Sequence, residues 1–516
     1  MKLTIPAAVT RAAQEFGDTI AVAEPDGPRL TYVDLLARVR AVARALIAEG
    51  LPAGARAAIW SPNTFHWVLA ALGASYAGAA VVPVNTRFTG PEALDVLDRA
   101  GADCLFVAGP FLGRDRLAEL TAAARAEDRP LPRVIVRIPV QPGPAGTPGT
   151  LDWADLDERA ATVPQRSADE RAEAVDPDQV SDLLFTSGTT GRSKGTMSAH
   201  RQGLAVAAAW AEIGGLGTAD RYLVINPFFN SFGFKAGILA CLHTGATLVP
   251  QIVFDTDRTL ELIDRERITV LPGPPTVYQA ILDHPQRAKW DTSTLRLAVT
   301  GATIVPTVLI ERMLAELSFQ TVLTAYGLTE AVVATMCRPG DDPATVAQTS
   351  GRPAAGFEVR ISPAGEILLR GPNVMLGYLD DPAATAEAVD ADGWLHTGDI
   401  GRLDERGYLS ITDRLKDMYI CGGFNVYPAE VEQALARLEG VAEAVVIGVP
   451  DPRLGEVGKA YLVTRPGFQL TAAEVVAFCR TQLANFKVPR HVEFRTDLPR
   501  NPSGKALKHV LRKESS

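Results

Sequence analysis

Hydrophobic and polar residues follow two alternating periods along roughly the first 400 positions of the chain. Residues 30–50, LTYVDLLARVRAVARALIAEG, combine a strand end, a cap and a helix with one apolar face, closed at Gly50. Residues 55–60, ARAAIW, then form the short apolar run of a strand. Because this order recurs, the pattern predicts layers of helices packed on sheets, an α/β fold.

An uncharged stretch, residues 67–84, reaches 18 residues, the length at which a membrane-spanning helix is considered. It is rich in alanine and is interrupted by Gly73, Gly78 and Pro83. We therefore predict a buried helix, a turn and a core strand instead of a membrane span. Residues 139–150 are rich in proline and glycine and predict a surface loop.

The pattern changes in the last third of the chain. From Val359, strand-like segments alternate with Gly and Pro turns. After Asp413 the order is helix PAEVEQALARL, strands VAEAVVIGV and GKAYLVT, helix TAAEVVAFCRTQL and a basic end. This mixed order, over a length typical of one unit, predicts a small separate α+β domain.

Composition narrows the classes of protein that fit. The 516 residues, 47% hydrophobic and 22% charged, predict two or three well-packed domains. The net charge of −9 argues against nucleic acid as a partner, and small-molecule substrates are expected instead. The five cysteines form no CxxC pair, and Arg11 precedes any long apolar region. We expect no disulfide framework, no zinc site and no secretory signal, and therefore a cytoplasmic protein.

The segment 185–195, FTSGTTGRSKG, directly follows the apolar run 183–185 and is rich in glycines and hydroxyls. Such a run after a strand can turn its backbone N–H groups inward and bind an anion, and Arg192 or Lys194 adds positive charge. A flexible linker is the alternative, but a linker requires neither cations nor a preceding strand. A Walker A loop does not fit, because two residues separate Gly191 from Lys194. The segment therefore predicts a phosphate-binding loop of another kind.

Five motifs, read in order, identify that kind of loop. They are LLFTSGTTGRSKG (183–195), TAYGLTE (324–330), GWLHTGDIG (393–401), TDRLKD (412–417) and NPSGKALK (501–508). Together they resemble the adenylate-forming superfamily, which includes acyl-CoA ligases, peptide-synthetase adenylation domains and firefly-type luciferases. The resemblance covers nearly the whole chain.

The resemblance implies both an architecture and a reaction. It implies a large α/β N-terminal domain of several subdomains (1–412), a hinge (413–416) that turns about Lys416, and a small mobile α+β C-terminal domain (417–516). The active site would lie between the two domains. The implied reaction uses ATP and Mg²⁺ to activate a small oxyanion as a mixed anhydride with AMP and releases pyrophosphate. The activated substrate is expected to be a carboxylic acid that is then transferred to coenzyme A.

The resemblance also assigns roles to individual residues. Glu330 would bind Mg²⁺, which suits a carboxylate oxygen, Thr329 would lie beside the α-phosphate, and Asp399 and Arg414 would hold the ribose. Residues implied to bind the ATP phosphates are Thr186, Ser187, Gly188, Thr189, Thr190, Gly191 and Lys194. Residues implied to line the adenine site are Gly301, Ala302 and Tyr326, and Gly327 is implied to contact the nucleotide as well. Taken singly, Glu330 or Asp399 would more often be a solvated or capping carboxylate, and Tyr326 a core residue.

Lys505 is the implied catalytic cation. The attack of a carboxylate on the α-phosphorus brings two anions together, so the site must supply positive charge and alignment. An isolated lysine near the chain end would normally be solvated. In the resembling family it instead enters the cleft and stabilises the phosphoryl group during transfer. Gly422 and Gly423 would lie along the pantetheine path, or simply form a turn.

The segments NPFFNSFGFKAGIL, LPGPPTVYQAIL and GGFNVYPAEVE are most similar to actinobacterial CoA ligases of ring-bearing propanoates from steroid breakdown. The residues implied to form the acyl site are Phe229, Asn230, Ser231, Lys235, Gly301 and Thr303. In those ligases a histidine usually stands where this chain has Asn230. An asparagine can form hydrogen bonds but cannot carry a proton charge near neutral pH.

The departure at Asn230 leaves a second hypothesis open. ATP-dependent diazotases of secondary metabolism resemble the same branch, activate nitrite for attack by an aryl amine, and need no CoA. Asn226, Asn230, Ser231 and Lys235 could form a small polar pocket for such an anion. A luciferase-type oxygenase has no specific support in the sequence, and a peptide-synthetase module would continue into a carrier domain. A non-catalytic binding protein would be expected to lack Glu330 or Lys505.

Overall fold

The computed structural model describes residues 2–141, 149–186, 193–301, 305–414, 417–421, 424–483, 485–500 and 506–515. Within these ranges the strands form five sheets with helices packed against them. The prediction of a large α/β N-terminal domain followed by a small α+β domain is confirmed.

The largest sheet is mainly parallel and carries the start of the phosphate-loop motif. Its described strands are, in spatial order, Gly377–Tyr378, Lys194–Ala199, Val180–Thr186, Ala80–Pro83, Arg56–Trp60, Cys104–Ala108, Val134–Ile138 and Leu151–Asp152. The first three pair antiparallel to one another, and the others run parallel. Parallel strands need both faces covered, which explains why the central strands are buried throughout.

Two smaller sheets lie beside each other, because Val270 forms parallel bridges with a strand of each. The described strands of the first are Arg221–Val224, Thr247–Pro250, Ile20–Ala23 and Arg29–Thr31. Those of the second are Leu297–Gly301, Thr321–Tyr326, Thr335–Met336 and Arg352–Pro353. The parallel strands that end at Gly301 and Tyr326 therefore place two predicted nucleotide residues at one sheet edge.

An antiparallel fourth sheet and a fifth sheet that is antiparallel except for one parallel pair complete the set. The described strands of the fourth sheet are Glu358–Ile361, Glu366–Arg370, Leu395–Leu403 and Leu409–Arg414. Those of the fifth are Phe424–Val426, Tyr419–Cys421, Gly455–Thr464, Val441–Asp451 and His491–Phe494. Leu409–Arg414 continues two residues beyond the predicted division at residue 412. Two residues of the predicted hinge 413–416 are thus strand, and Leu415 and Lys416 lie outside the described residues.

The helices begin and end where their local sequences favour it. Thr31 caps Tyr32–Ala48 in a capping box with Asp34, and Gly50 follows with φ 74°. The uncharged stretch forms the buried helix Phe65–Tyr76 and the strand Ala80–Pro83, as predicted. No helix in the described ranges has the length and apolar character that a membrane span requires.

The other helices of the described ranges cover the sheets. They are Ile5–Phe16, Gly90–Ala100, Arg116–Ala126, Leu156–Ala161, Gln165–Ala174, His200–Ile213, Ala240–Thr244, Thr256–Arg265, Pro275–Leu282, Thr307–Glu316, Pro343–Gln348, Pro382–Ala388, Pro428–Leu435, Ala472–Gln482 and Lys508–Ser515, with 3-10 turns at Trp153–Asp155 and Arg287–Lys289 and a π-helix at Phe232–Leu239. The apolar core between 419 and 511 contains residues of this C-terminal part alone.

Candidate active site

The phosphate-loop motif begins at the end of a buried strand, as predicted. The strand Val180–Thr186, called here the phosphate-loop strand, pairs antiparallel with Lys194–Ala199, and Thr186 lies opposite Lys194. The loop between them is therefore closed at its base by the sheet. The predicted phosphate residues Ser187, Gly188, Thr189, Thr190 and Gly191 lie outside the described residues, as does Arg192.

A three-residue cluster joins this loop base to the TAYGLTE motif. The Tyr378 hydroxyl donates a hydrogen bond to Glu330 Oε1 at 2.8 Å, and Lys194 Nζ lies 4.8 Å from the centre of the Tyr378 ring. Burial, together with the charge of Glu330, raises the pKa of Tyr378 above its usual range, so the hydroxyl stays protonated and donates. The cluster brings a carboxylate and a cation from separate motifs to one place.

Glu330 fits a magnesium ligand. Its backbone is fixed because the N–H of Met375 donates to the Glu330 carbonyl at 2.8 Å, and its side chain is oriented by Tyr378. The described ranges contain no group of three or more His, Cys, Asp or Glu side chains that could hold a metal. One carboxylate is nevertheless what Mg²⁺ requires beside nucleotide phosphates, because the ion is usually bound by one or two carboxylates, water and phosphate oxygens.

The backbone that carries Thr329 and Glu330 is tightly folded. A Cβ added to Gly327 would lie 1.7 Å from the Val332 carbonyl oxygen, so only glycine fits there. Val332 has φ 62°, which is a genuine outlier for a β-branched residue. Outliers of this kind persist only where the surroundings enforce them, and they concentrate at functional sites. Thr329 and Glu330 are both partly exposed in this turn.

The predicted nucleotide residues at the sheet edge form a second cluster. The Tyr326 hydroxyl donates to Asp399 Oδ2 at 2.7 Å, and both residues are buried. Asp399 pairs with Arg414 across adjacent antiparallel strands. Gly301 lies opposite Ala325 in the parallel register, and a Cβ added to it would lie 2.3 Å from the Ala325 carbonyl oxygen.

The predicted acyl residues follow the strand Arg221–Val224. Residues 226–231, called here the acyl-site segment, are fixed at Asn226, whose amide donates to the Pro272 carbonyl at 3.1 Å. The next residue, Gly273, donates its N–H to Val299 in the strand that ends at Gly301. This path places the acyl-site segment next to the nucleotide strand. Phe229 in this segment is nearly buried, whereas Asn230 and Ser231 are partly exposed.

Lys235 does not share that partial exposure. It lies within the π-helix with no solvent-exposed surface, and its ammonium group is 2.9 Å from Asp182 Oδ1 and 2.9 Å from Ser198 Oγ. The structure therefore places this predicted substrate-binding residue in a buried ion pair. The Lys235 ammonium group, which the prediction had assigned to a substrate anion, is thus paired with Asp182.

The remaining predicted residues lie outside the described ranges. They are Ala302 and Thr303 after Gly301, Lys416 at the hinge, Gly422 and Gly423, and Lys505. Their assigned roles stay predictions. The described members nevertheless converge from four segments that are far apart in the sequence: the base of the phosphate loop, the turn at 327–334, the 395–414 hairpin and the acyl-site segment.

Two contributors were missed by sequence reasoning. Tyr378 reaches the site because Gly377–Tyr378 adds a short strand beside Lys194–Ala199, a pairing that no local pattern announces. Asn63 supports the acyl-site segment: its amide donates to the Asn226 carbonyl at 2.9 Å, and its Oδ1 accepts the N–H of Phe228 at 2.7 Å. Neither residue lies in one of the five motifs, so the sequence alone gave no signal for them.

A glycine-rich motif at the end of a buried strand, a carboxylate held by Tyr378 and a buried tyrosine–aspartate pair are the groups that an ATP-dependent, adenylate-forming enzyme would use. The comparisons identify the family: residues 9–379 match the AMP-binding enzyme family and residues 430–505 its C-terminal domain, so the chain belongs to the AMP-binding enzymes. The ATP-bound MatB of Rhodopseudomonas palustris has the same fold, with a TM-score of 0.85 and 29% identity over 100% of this chain and 99% of that one.

Two relatives are similar over almost their whole length. A 3-(7a-methyl-1,5-dioxo-octahydro-1H-inden-4-yl)propanoyl:CoA ligase of Rhodococcus jostii is 60% identical over 99% of this chain and 98% of its own length. The ligase of the same name from Mycobacterium tuberculosis is 59% identical over the same shares of each chain. The chain is accordingly an AMP-forming acyl-CoA ligase that uses ATP to activate an acid and then transfers it to CoA. These comparisons do not favour the diazotase hypothesis.

Proposed function

We propose that the acid is a propanoate attached to a fused, partly oxidised ring system. The single observation that carries this proposal is the identity of about three residues in five, along nearly the full chain, to two ligases named for such a substrate. The nearly buried Phe229 and the partly exposed Asn230 and Ser231 support it, since an apolar wall with a few polar groups suits a ring bearing oxo groups.

The residues divide the work of the first half-reaction. The loop from Thr186 to Lys194 holds the β- and γ-phosphates, and Tyr326, Asp399 and Arg414 hold the nucleoside. Glu330 would hold Mg²⁺, which would supply positive charge to the phosphates. The attack of the acid carboxylate on the α-phosphorus forms an acyl–AMP bond and breaks the bond to pyrophosphate. Thr329 and Lys505 stabilise the charge on the transferring group.

The second half-reaction needs a different face of the small domain. We propose that residues 417–516 turn about Lys416, withdraw Lys505 and open the path of the CoA thiol along Gly422 and Gly423. The separate apolar core between 419 and 511 supports this, because a unit with its own core can turn as a rigid body. The expected location of the enzyme is the cytoplasm.

Asn230 gives this site a neutral polar group. An amide can both donate to and accept from a substrate, and its charge does not change with pH. We therefore expect adenylate formation to show no dependence on a histidine ionisation at this position. Replacement by histidine, N230H, should introduce a new pH dependence between pH 5 and 8.

Pyrophosphate release against a panel of acids tests the proposal. The panel contains fused-ring propanoates, aryl acids, fatty acids and nitrite with an aryl amine, each with and without CoA. The expected result is fastest release with a fused-ring propanoate and a matching acyl-CoA product. A preference for fatty or aryl acids would contradict the substrate class. AMP release that requires nitrite and an amine would replace the proposal with the diazotase hypothesis.

A further inference from the structure

The π-helix is joined to the phosphate-loop strand by two buried opposite charges. Lys235 Nζ lies 2.9 Å from Asp182 Oδ1, and the two side chains are 0% and 1% exposed. Lys235 also donates to Ser198 Oγ at 2.9 Å, and Ser181 Oγ donates to Asp182 Oδ2 at 2.7 Å. Both carboxylate oxygens thus face a partner. A buried polar network in which the charges are paired rigidifies its surroundings.

Each member of the pair lies a few residues from a substrate site. Asp182 belongs to the strand that delivers Thr186 to the phosphate loop. Lys235 follows the acyl-site segment, and the N–H of Phe234 donates to the Asn230 carbonyl at 3.0 Å. Gly233 packs so closely on the same segment that an added Cβ would lie 2.3 Å from the Pro227 carbonyl oxygen. Movement of Lys235 would therefore move Asn230.

The π-helix itself requires support from outside. π-helical turns are rare in proteins and occur frequently at functional sites. Here the Tyr222 hydroxyl donates to the Ala236 carbonyl at 2.7 Å, and Trp210 Nε1 donates to the Tyr222 oxygen at 3.2 Å. Tyr222 and Lys235 thus attach adjacent residues of the π-helix to the body of the domain.

A buried ion pair is a poor way to gain stability alone, because desolvation of the charges opposes their attraction and an apolar pair of similar size is often as stable. What such a pair supplies is a fixed distance and direction between two elements. In-line attack depends strongly on alignment, and a displacement of about 1 Å can slow a reaction by roughly 100-fold.

We propose that Asp182 and Lys235 are positioning residues that hold the acyl-site segment in register with the phosphate-loop strand, so that the acid carboxylate is aligned with the α-phosphorus of ATP. This inference rests on the residue roles proposed above for the first half-reaction. It concerns the first half-reaction alone, because the acyl group is covalently joined to AMP afterwards and the alignment is no longer needed.

The test separates alignment from folding by removing both charges together. The double variant Asp182→Asn with Lys235→Met keeps the side-chain volumes similar and leaves no unpaired buried charge. Its melting temperature is expected to lie within about 3 °C of that of the parent protein. Its rate of adenylate formation is expected to be at least 10-fold lower. Transfer of a supplied acyl-adenylate to CoA should stay within threefold. Asp182→Asn alone should slow adenylate formation to a similar extent.

The matched control is the partly buried pair Asp220–Arg296, which lies where two strands begin, away from the site edge. Asp220→Asn with Arg296→Met should leave the ratio of the two half-reactions unchanged. Unchanged adenylate formation in the Asp182/Lys235 double variant would overturn the proposal. Equal loss of both half-reactions in a folded protein would overturn it as well. Full activity of Asp182→Asn beside an inactive Lys235→Met would show direct substrate contact by Lys235 instead.

All rates are measured with the acid that the parent protein activates best. If the proposed substrate class is wrong, the parent protein itself will activate an acid of another class best. If the proposed role of the ion pair is wrong, only the ratio of the variant's rate to the parent's rate will show it. Failure of the substrate proposal and failure of the ion-pair proposal are therefore distinguishable.

Discussion

The Tyr378 hydroxyl has a single described acceptor, the carboxylate of Glu330, and its removal can be tested without changing the ring. In Tyr378→Phe the stacking with Lys194 is kept and the 2.8 Å hydrogen bond is lost. A hydrogen bond to a charged group contributes about 1.5 kcal/mol or more, which corresponds to roughly 10-fold in affinity. We expect the Mg²⁺ concentration for half-maximal pyrophosphate release to rise about 10-fold, as measured by titration at saturating ATP.

Tyr408 provides the control for this change. Its hydroxyl also donates to a carboxylate, Asp341 Oδ1 at 2.6 Å, at the turn end of the hairpin that carries Asp399 at its other end. Tyr408→Phe should leave the Mg²⁺ requirement unchanged. An equal effect of both variants, or none from Tyr378→Phe, would show that the hydroxyl does not orient Glu330.

At the scale of single residues, motifs could select side chains that lie together, whereas the roles assigned to them stay predictions. Glu330, Tyr326, Asp399 and Lys194 were selected by their motifs, and the structure brings them into two neighbouring clusters. Sequence reasoning could not find Tyr378, because that contact depends on the pairing of two distant strands. It also assigned Lys235 to an open pocket, because no local pattern reveals a buried partner at Asp182.

The turn that follows the strand Thr321–Tyr326 is defined by one glycine. An added Cβ at Gly327 would lie 1.7 Å from a backbone oxygen, which no side-chain adjustment relieves. Gly327→Ala should therefore displace Thr329 and Glu330, lower the free energy of unfolding by about 1 to 3 kcal/mol and slow adenylate formation by roughly 100-fold. Thermal unfolding and pyrophosphate release measure the two effects.

The matched change is Gly217→Ala. An added Cβ at Gly217 meets no atom within 4 Å, and the residue does not have a positive φ. This variant should resemble the parent protein in both assays. Normal activity of Gly327→Ala would mean that the turn can be rebuilt and that its geometry does not position the catalytic residues.

A carboxyl group with a shifted pKa, that of Glu24, contacts the start of the helix Phe65–Tyr76. Glu24 accepts the N–H of Phe65 at 2.8 Å, and burial raises the pKa of its carboxyl to about 7. A raised folded-state pKa favours the protonated form, so this contribution to stability is present below about pH 4.5 and is lost as the pH rises through 7. Glu24→Gln should therefore be more stable than the parent protein at pH 8, by at most about 3 kcal/mol, with no advantage at pH 4.5.

Glu474 supplies a contrast for the same measurement. It is an exposed capping-box residue, and its hydrogen bonds with Thr471 lower the pKa of its carboxyl. Its contribution is present above its unfolded pKa and is lost only at acid pH, so the difference between Glu474→Gln and the parent protein should change little from pH 5 to 8. The test measures the melting temperatures of both variants and the parent protein across this pH range. A pH-independent difference between Glu24→Gln and the parent protein would contradict the raised pKa.

Elements were predicted best where their signals are local. The capped helix Tyr32–Ala48 and the uncharged helix and strand at 65–83 follow from capping residues, glycines and hydrophobic period alone. The π-helix Phe232–Leu239 was not predicted, because its sequence is apolar apart from Lys235 and its form depends on Tyr222 and Asp182 from elsewhere in the chain. Its position beside the acyl-site segment suggests that tertiary contacts override local preference where substrate must be placed.

The buried apolar residues of the described ranges form three clusters in the N-terminal part and one separate core between 419 and 511. The sequence predicted this division from the change of pattern after Asp413. It could not place the boundary to the residue, because Leu409–Arg414 continues as a strand paired to Leu395–Leu403. Strand pairing thus keeps Arg414 opposite Asp399, whereas Lys505 follows the last strand of the C-terminal part in the sequence.

This division predicts that one substitution can separate the two half-reactions. If Lys505 serves adenylate formation alone, Lys505→Ala should slow pyrophosphate release by about 100-fold or more while transferring a supplied acyl-adenylate to CoA at nearly the parent rate. Its melting temperature should equal that of the parent protein. Lys513→Ala, which removes an exposed lysine of the last helix, is the control and should change neither step. Loss of both steps in a folded Lys505→Ala protein would mean that one arrangement of the small domain serves the whole reaction.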